Sequence, residues 1–278
     1  MVSWPEPGTR VTVRYRRARG SVPPLTDAVG HLLAVDPLVR VRTKTGAVVE
    51  FAPADAVALR VLTDAPVRTS EIRALERAAA AAWPGVERAW LDGWLLRAAP
   101  GAGLAANSAV PLDVSAHITA VPEIIAWYER RGLTPRLAIP DRLLRPPPGV
   151  EIEHVERVLV RDVSTGGEPA PHVTLSAGPL AAVPDGELMF GTHPGGAVAR
   201  AALTDAPNGT RWVGLSAINA PDEQGAAALC EALLAWGAGR GATRGYLVAD
   251  DTGATNLADS LGFRLHHRRR YIRAMDTV

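Results

Sequence analysis

Arg211-Trp-Val-Gly-Leu-Ser-Ala-Ile-Asn-Ala220, Pro221-Asp-Glu-Gln-Gly-Ala-Ala-Ala228 and Gly245-Tyr-Leu-Val-Ala249 are the three pieces of sequence that decide the fold. The first is an apolar run of strand composition. The second turns the chain into a helix carrying Leu229, Leu233, Leu234 and Trp236, which Gly237 to Gly241 is expected to end. The third is a second apolar strand. A short helix over 252–260 and Leu261-Gly-Phe263 then lead into a last strand closing on Tyr271-Ile-Arg273. A strand entering a Gly-containing turn at a helix N-terminus presents unpaired N–H groups and a positive dipole end, a frequent phosphate cradle.

The helix ending Ala235-Trp236-Gly237, Gly239 and Gly241 after it, and Leu261-Gly-Phe263 ahead of a basic aromatic strand resemble the C-terminal half of GNAT N-acetyltransferases. Gly93-Trp-Leu-Leu-Arg-Ala-Ala-Pro-Gly101, Ala106-Asn-Ser108, Trp127-Tyr128 and Arg131-Gly-Leu133 resemble the first lobe of an actinobacterial group of that family. The resemblance implies acetyl-CoA as the donor. It puts the pyrophosphate at Gln224, Gly225, Ala226 and Ala227, and pantetheine between splayed strands 211–220 and 245–249. It gives the thioester oxygen to backbone N–H groups among Ala217, Ile218 and Asn219, and gives Asp251 a cofactor-binding place. Asn107 and Ser108 fall to substrate binding.

The chain also departs from that pattern. The family turn reads Arg/Gln-x-x-Gly-x-Gly/Ala; aligned on Gln224, Ala227 replaces the first glycine, and aligned on Gly225, Asp222 takes the basic position. Asp222 and Glu223 make a good helix cap and repel an anion. Counting back from Leu261, Ala258 takes the place of the tyrosine that serves as acid, and Ala105 stands where the first lobe has arginine.

Upstream, residues 9–62 alternate Val11, Val13 and Tyr15 with Thr12, Arg14 and Arg16, then give four further short strands with turns at Asp36-Pro37 and Lys44-Thr-Gly46. That is a small barrel of SH3-like order. Arg14, Arg16, Arg17 and Arg19 could meet phosphate or form a solvated face. Residues 70–83 read as a helix capped by Ser70, with Ile72, Leu75, Ala79 and Trp83 on one stripe. Strands over 86–98 (with a turn or bulge at Asp92-Gly93) and 106–112, a helix over 115–131 and a strand over 135–140 follow. Arg145-Pro-Pro-Pro-Gly149 is a linker, after which strands restart.

The expected architecture is α/β (α+β): residues 1–64 an SH3-like β-barrel, residues 65–278 a mixed-sheet GNAT unit. That unit has a lobe at 70–148, a linker at 141–150 and an acetyl-CoA lobe at 150–278. The 278 residues are 47% apolar and 21% charged with net charge +1, so bulk charge does not argue for nucleic acid. One cysteine, Cys230, excludes an intrachain disulfide and a thiolate metal cluster; no apolar run reaches the ~20 residues of a membrane span, and no leader pattern opens the chain. A cytoplasmic protein is expected. A single lysine, Lys44, among many arginines fits a GC-rich bacterial genome.

Direct acetyl transfer to a bound amine needs a neutral amine, a donor for the thioester oxygen and an acid for the thiolate. Glu187 and His193, expected in a loop, are candidates for a base. His266-His267 sits in the last strand. No His/Asp/Glu spacing suits a metal. Two functions stay open: an acetyl-CoA-dependent N-acetyltransferase acting on an amine, or a GNAT-derived binding or regulatory protein that has lost turnover and meets nucleic acid, if at all, through the barrel.

Overall fold

The computed structural model describes residues 4–5, 7–18, 20–43, 46–62, 67–146, 149–164, 172–178, 186–250 and 255–275. Arg19, Lys44 and Asp251 lie outside them. The chain divides into two compact units, 1–66 and 67–278.

The first unit is a five-stranded antiparallel sheet. Its strands are β1 (Arg10–Arg16), β2 (Leu25–Ala34), β3 (Val39–Thr43), β4 (Val48–Phe51) and β5 (Ala56–Val61), in the order β4-β3-β2-β1-β5. The alternation read from the sequence sets its faces: Val11, Val13, Val39 and Val41 are fully buried, while Arg14 and Arg40 point to solvent. Arg14 donates twice to Asp27 on the neighbouring strand, at 2.9 Å each, so its charge is met within the sheet.

The second unit is built on one eleven-stranded mixed sheet. Its strands are β6 (Glu87–Leu91), β7 (Trp94–Ala98), β8 (Ala109–Pro111), β9 (Arg136–Pro140), β10 (Ile152–Asp162), β11 (Thr174–Ala177), β12 (Gly186–Thr192), β13 (Val198–Asp205), β14 (Arg211–Asn219), β15 (Arg244–Asp250) and β16 (Arg264–Arg273). They run β11-β12-β13-β14-β15-β10-β16-β9-β8-β7-β6. The helices are α1 (Thr69–Ala82), α2 (Val121–Glu129), α3 (Glu223–Ala238) and α4 (Thr255–Ser260). Pairing is antiparallel except at β8·β9 and β14·β15. Each of those parallel pairs is joined by a helical crossover, α2 or α3, as a parallel connection requires. The two expected lobes therefore share a sheet, with the C-terminal β16 between β10 and β9 as the seam.

Local chemistry explains most boundaries. Asp92 (φ 42°) and Gly93 (φ 82°) form the two-residue left-handed turn that folds β6 onto β7. Ser70 is not the α1 cap: it lies in the first turn, and the Glu71 carboxylate instead accepts from the Arg68 N–H at 3.1 Å. The helix expected over 115–131 is shorter. Asp113 accepts from the Ser115 N–H and hydroxyl at 3.1 Å each and holds that stretch as a turn, and the α-helix starts beside Pro122. Residues 187–192 are strand, not loop. α3 ends within the expected Gly237–Gly241 stretch, at Ala238 with Gly239 as its cap; Gly237 lies in the last turn, where a Cβ would come 2.6 Å from Val213.

Candidate functional site

The site begins with a bulge. β14 and β15 pair from Trp212–Arg244 to Leu215–Leu247 and then separate. On its other side β14 shifts register against β13: Ser216 faces Arg200, and the next pair joins Asn219 to Val198. Ala217 sits in the gap at φ 50°, a left-handed conformation that costs an alanine roughly 1–2 kcal/mol. A bulge leaves a residue out of the ladder and bends the strand, and here the bend opens the fork.

Two cavities meet at the fork. The first, about 290 Å³, lies between the parted strands and is lined by Ala217, Ile218, Val248, Ala249, Leu257 and Ala258 among others. Its side chains are aliphatic, apart from Ser216 and Asp250. The second, about 320 Å³, lies on the other side against α1 and β7. Leu215, Ser216, Ala217 and Val248 line both.

The second cavity holds a cluster of buried charge. Glu76 of α1 accepts from His267 Nε2 at 2.6 Å and from Arg269 Nη2 at 2.8 Å. Arg269 Nη1 and the Tyr271 hydroxyl both donate to Glu156 Oε2, at 2.7 and 2.8 Å. Burial alone would raise the Glu76 pKa; the Arg269 charge and the bonds from His267 and Arg269 outweigh it and hold the carboxyl at about 2. Burial, then His267 and Arg244, push His266 down to about 3, so it is a neutral side chain at pH 7. Arg200 donates from Nε to the Ser216 hydroxyl at 2.9 Å and lies 4.2 Å over the Trp83 ring. Arg97 is only 4% exposed; Nη1 donates to the Trp83 carbonyl at 3.3 Å, and Nε is buried without a partner among the described residues.

At the mouth of α3, Asp222 caps the helix, with Oδ1 accepting from the Gly225 N–H at 2.7 Å. The N–H groups of Glu223 and Gln224 make no hydrogen bond among the described residues. Gly225 is hemmed in: a Cβ there would stand 3.4 Å from both Asp222 Oδ1 and His193 Nδ1.

These contacts show where each expected residue lies. Ala217 and Ile218 line the fork, and Asn219 follows them on β14. Gln224, Gly225, Ala226 and Ala227 form the first turn of α3; Ala226 is buried in the core. Asn107 spends its side chain on the turn before it, accepting from Ala99 N at 2.8 Å and donating to Ala99 and Ala102 carbonyls at 2.9 Å each. Ser108 is fully buried with its hydroxyl unpartnered. Neither lines the cavities; they shape the 99–106 wall that does. Glu187 pairs with Arg240 at 2.9 Å, and His193 stands by Asp222, so neither reaches the fork. Ala258, in the tyrosine's place, lines it. Cys230 is a fully buried core thiol, raised to about 12 by burial and then by Glu231.

The residues that sequence reading missed are Glu76, Arg97, Glu156, Arg200, Ser216 and Arg269. Two carried a signal. Arg97 interrupts the apolar run Trp94-Leu-Leu-Arg-Ala98, and Glu76 lies on the buried stripe of α1. The others are brought together only by strand pairing. No group of three or more His, Cys, Asp or Glu among the described residues could hold a metal, and no described helix is long and apolar enough to cross a membrane.

Comparison with known proteins gives this geometry its family. Residues 69–272 match the family described as "Probable histone acetyltransferase Rv0428c C-terminal", and residues 5–60 match "Rv0428c N-terminal Sm-like domain". The chain is 65% identical over 295 residues to "Probable histone acetyltransferase Rv0428c" of Mycobacterium tuberculosis, covering 99% of this chain and 97% of the relative. Among solved structures, a GCN5-related N-acetyltransferase from Kribbella flavida has the same fold with a TM-score of 0.50 at 15% identity, over 77% of this chain and 98% of its own. A GCN5-related N-acetyltransferase from Sphaerobacter thermophilus is a looser likeness, TM-score 0.39 and 14% identity, over 77% and 96%. The chain belongs to the Rv0428c family: an acetyltransferase domain of GNAT fold preceded by an Sm-like β domain.

Proposed function

We propose that the protein moves an acetyl group from acetyl-CoA to an amine by direct attack. The observation that carries this reading is the Ala217 bulge, which parts β14 from β15 so that an apolar cleft and a charged pocket meet at Ser216 and Ala217. The cleft suits an uncharged pantetheine arm, and the α3 mouth has two N–H groups to offer phosphate. The pocket takes the acceptor. The amine nitrogen bonds to the acetyl carbon, the carbon–sulfur bond breaks, Glu156 takes the proton leaving nitrogen, and Ser216 gives its proton to the thiolate and recovers one from water. Backbone N–H groups over Ala217–Asn219 meet the thioester oxygen. Ser216, whose oxygen accepts from Arg200, keeps its own proton to donate to the sulfur, a role the alanine at 258 cannot fill. Glu156 Oε1, free of the bonds that hold Oε2, is the acceptor for the amine proton. The relative's name points to histone as its acceptor; a protein amine is one acceptor class to test here. A cytoplasmic setting fits the single buried thiol.

A second reading, a GNAT-fold binding protein without turnover, draws on Asp222 capping α3 and on Ala258. Calorimetry with acetyl-CoA and thiol release with an amine panel separate the two. Binding at roughly micromolar Kd with release above background is expected. No binding at about millimolar donor removes the first reading, and binding without release favours the second.

A further inference from the structure

The acceptor pocket holds more positive than negative charge. Three guanidinium groups line it, on Arg97, Arg200 and Arg269, against two carboxylates, Glu76 and Glu156. Both carboxylates are taken by Arg269. Arg200 has a hydroxyl and an aromatic face as partners, and Arg97 has one carbonyl. A buried cation without an anion is costly, since its lost hydration is not returned by a partner. Burial, followed by repulsion from Arg269, lowers the Arg97 pKa, and Glu76 offsets only part of this. Arg97 is held firmly in spite of this. It is the fourth residue of a fully buried strand, and its backbone N–H and C=O both bond to the Tyr128 hydroxyl, at 3.3 and 3.0 Å. Its buried Nε has no hydrogen-bond partner among the described residues.

We propose that Arg97, with Arg200 beside it, binds a carboxylate on the acceptor, so that the amine acetylated is that of an amino-acid-like molecule and not the lysine of a basic peptide. The planar fork of arginine matches a carboxylate's two oxygens, and an anion there brings the pocket to charge balance. A lysine-rich tail would instead add cations to a site that already has an excess. The inference rests on the acetyl-transfer reading for its chemistry, but the anion site can be tested without it.

The test uses the full chain. Calorimetry with N-acetylglycine, N-acetyl-β-alanine and N-acetylglutamate, each against its carboxamide, reads the carboxylate with the amine already capped. Thiol release from acetyl-CoA with the free amino acids, their carboxamides and a lysine-rich peptide reads turnover. The acids are expected to bind at least tenfold more tightly than the carboxamides. Arg97→Gln should erase that difference and Arg97→Lys should keep part of it, with acetyl-CoA affinity unchanged in both. A urea midpoint for each variant confirms folding. Equal binding of acids and carboxamides, no binding of any acid, a preference that survives Arg97→Gln, or faster turnover of the basic peptide each overturns the inference. If the acids bind through Arg97 but acetyl-CoA does not bind, the carboxylate site stands and the transferase reading falls.

Discussion

The second unit uses the same strand–helix–strand crossover twice, and the two are lined differently. β8 and β9 are joined through α2, β14 and β15 through α3, and each pair is parallel. Around the first crossover Trp94, Ile124, Trp127, Tyr128 and Leu137 pack as one large-residue cluster, and the cavity beside it, about 270 Å³, is lined by Val121, Leu137 and Ile272 among others. Around the second, small residues at the fork, Ala217, Ala249 and Ala258, leave a cleft, and a bulge keeps the strands from closing. Topology permits a site at such a fork; side-chain volume and a single left-handed residue decide whether there is one. The first crossover still contributes, because Tyr128 fixes the backbone of Arg97 on the pocket's far wall.

The sharpest way to break this comparison is to cut the seam that holds both crossovers in one sheet. Glu76→Gln leaves Arg269 and His267 buried without their shared anion and should cost about 3–5 kcal/mol; urea unfolding with probes in both halves should show one weakened transition. Acid tests the same seam. The folded pKa of Glu76 lies below its ordinary 4.5, so its contribution is complete above about pH 4.5 and lost as pH falls toward about 2, a loss on the order of 3 kcal/mol. His266, neutral down to about pH 3 when folded, adds to this: the unfolded chain takes up its proton below about 6.5, so stability starts to fall there. Urea midpoints should decline below about pH 6.5 through His266 and further from about pH 4.5 to pH 2 through Glu76; a flat profile over pH 7 to 2 would contradict the buried network.

Filling the fork should remove its cleft. Ala249→Phe is expected to weaken acetyl-CoA binding at least tenfold, about 1.4 kcal/mol, by calorimetry, with little effect on Tm because the cleft of about 290 Å³ has room for the ring. Relieving the bulge is a smaller change. Ala217→Gly should raise stability by roughly 1 kcal/mol, because glycine takes the left-handed conformation freely; Tm is the measurement. Smallest is the helix mouth, where Asp222→Asn keeps a capping oxygen and removes the charge facing a phosphate. Acetyl-CoA affinity should rise by about two- to fivefold, a gain on the scale of one helix-terminus charge, 0.3–1 kcal/mol.

Much of this was legible in advance because it is local. Alternation in Arg10–Arg16, the stripe on α1 and the apolar runs of β14 and β15 each follow from a period that neighbouring residues set among themselves. The fork and the backbone of Ala217 and Ile218 could be read from the family resemblance, and Asp222 as a cap from its chemistry alone. The charged pocket was not, because its residues come from α1, β7, β10, β13, β14 and β16, and no local pattern indicates that Glu76 and Arg269, far apart in the chain, form an ion pair. Glu187 and His193 looked suitable for catalysis by type; register then turned one toward Arg240 and the other toward the α3 mouth.

The sequence by itself determined the order of elements, the two-unit division and the strand–helix–strand core, since periodicity and turn chemistry act over a few residues. Tertiary structure decided how each crossover is lined, why Gly237 packs against Val213, and that Arg97 is buried with its Nε unpartnered among the described residues. Those are outcomes of long-range register and of volume at a contact, which depend on residues that meet only when the sheet is assembled.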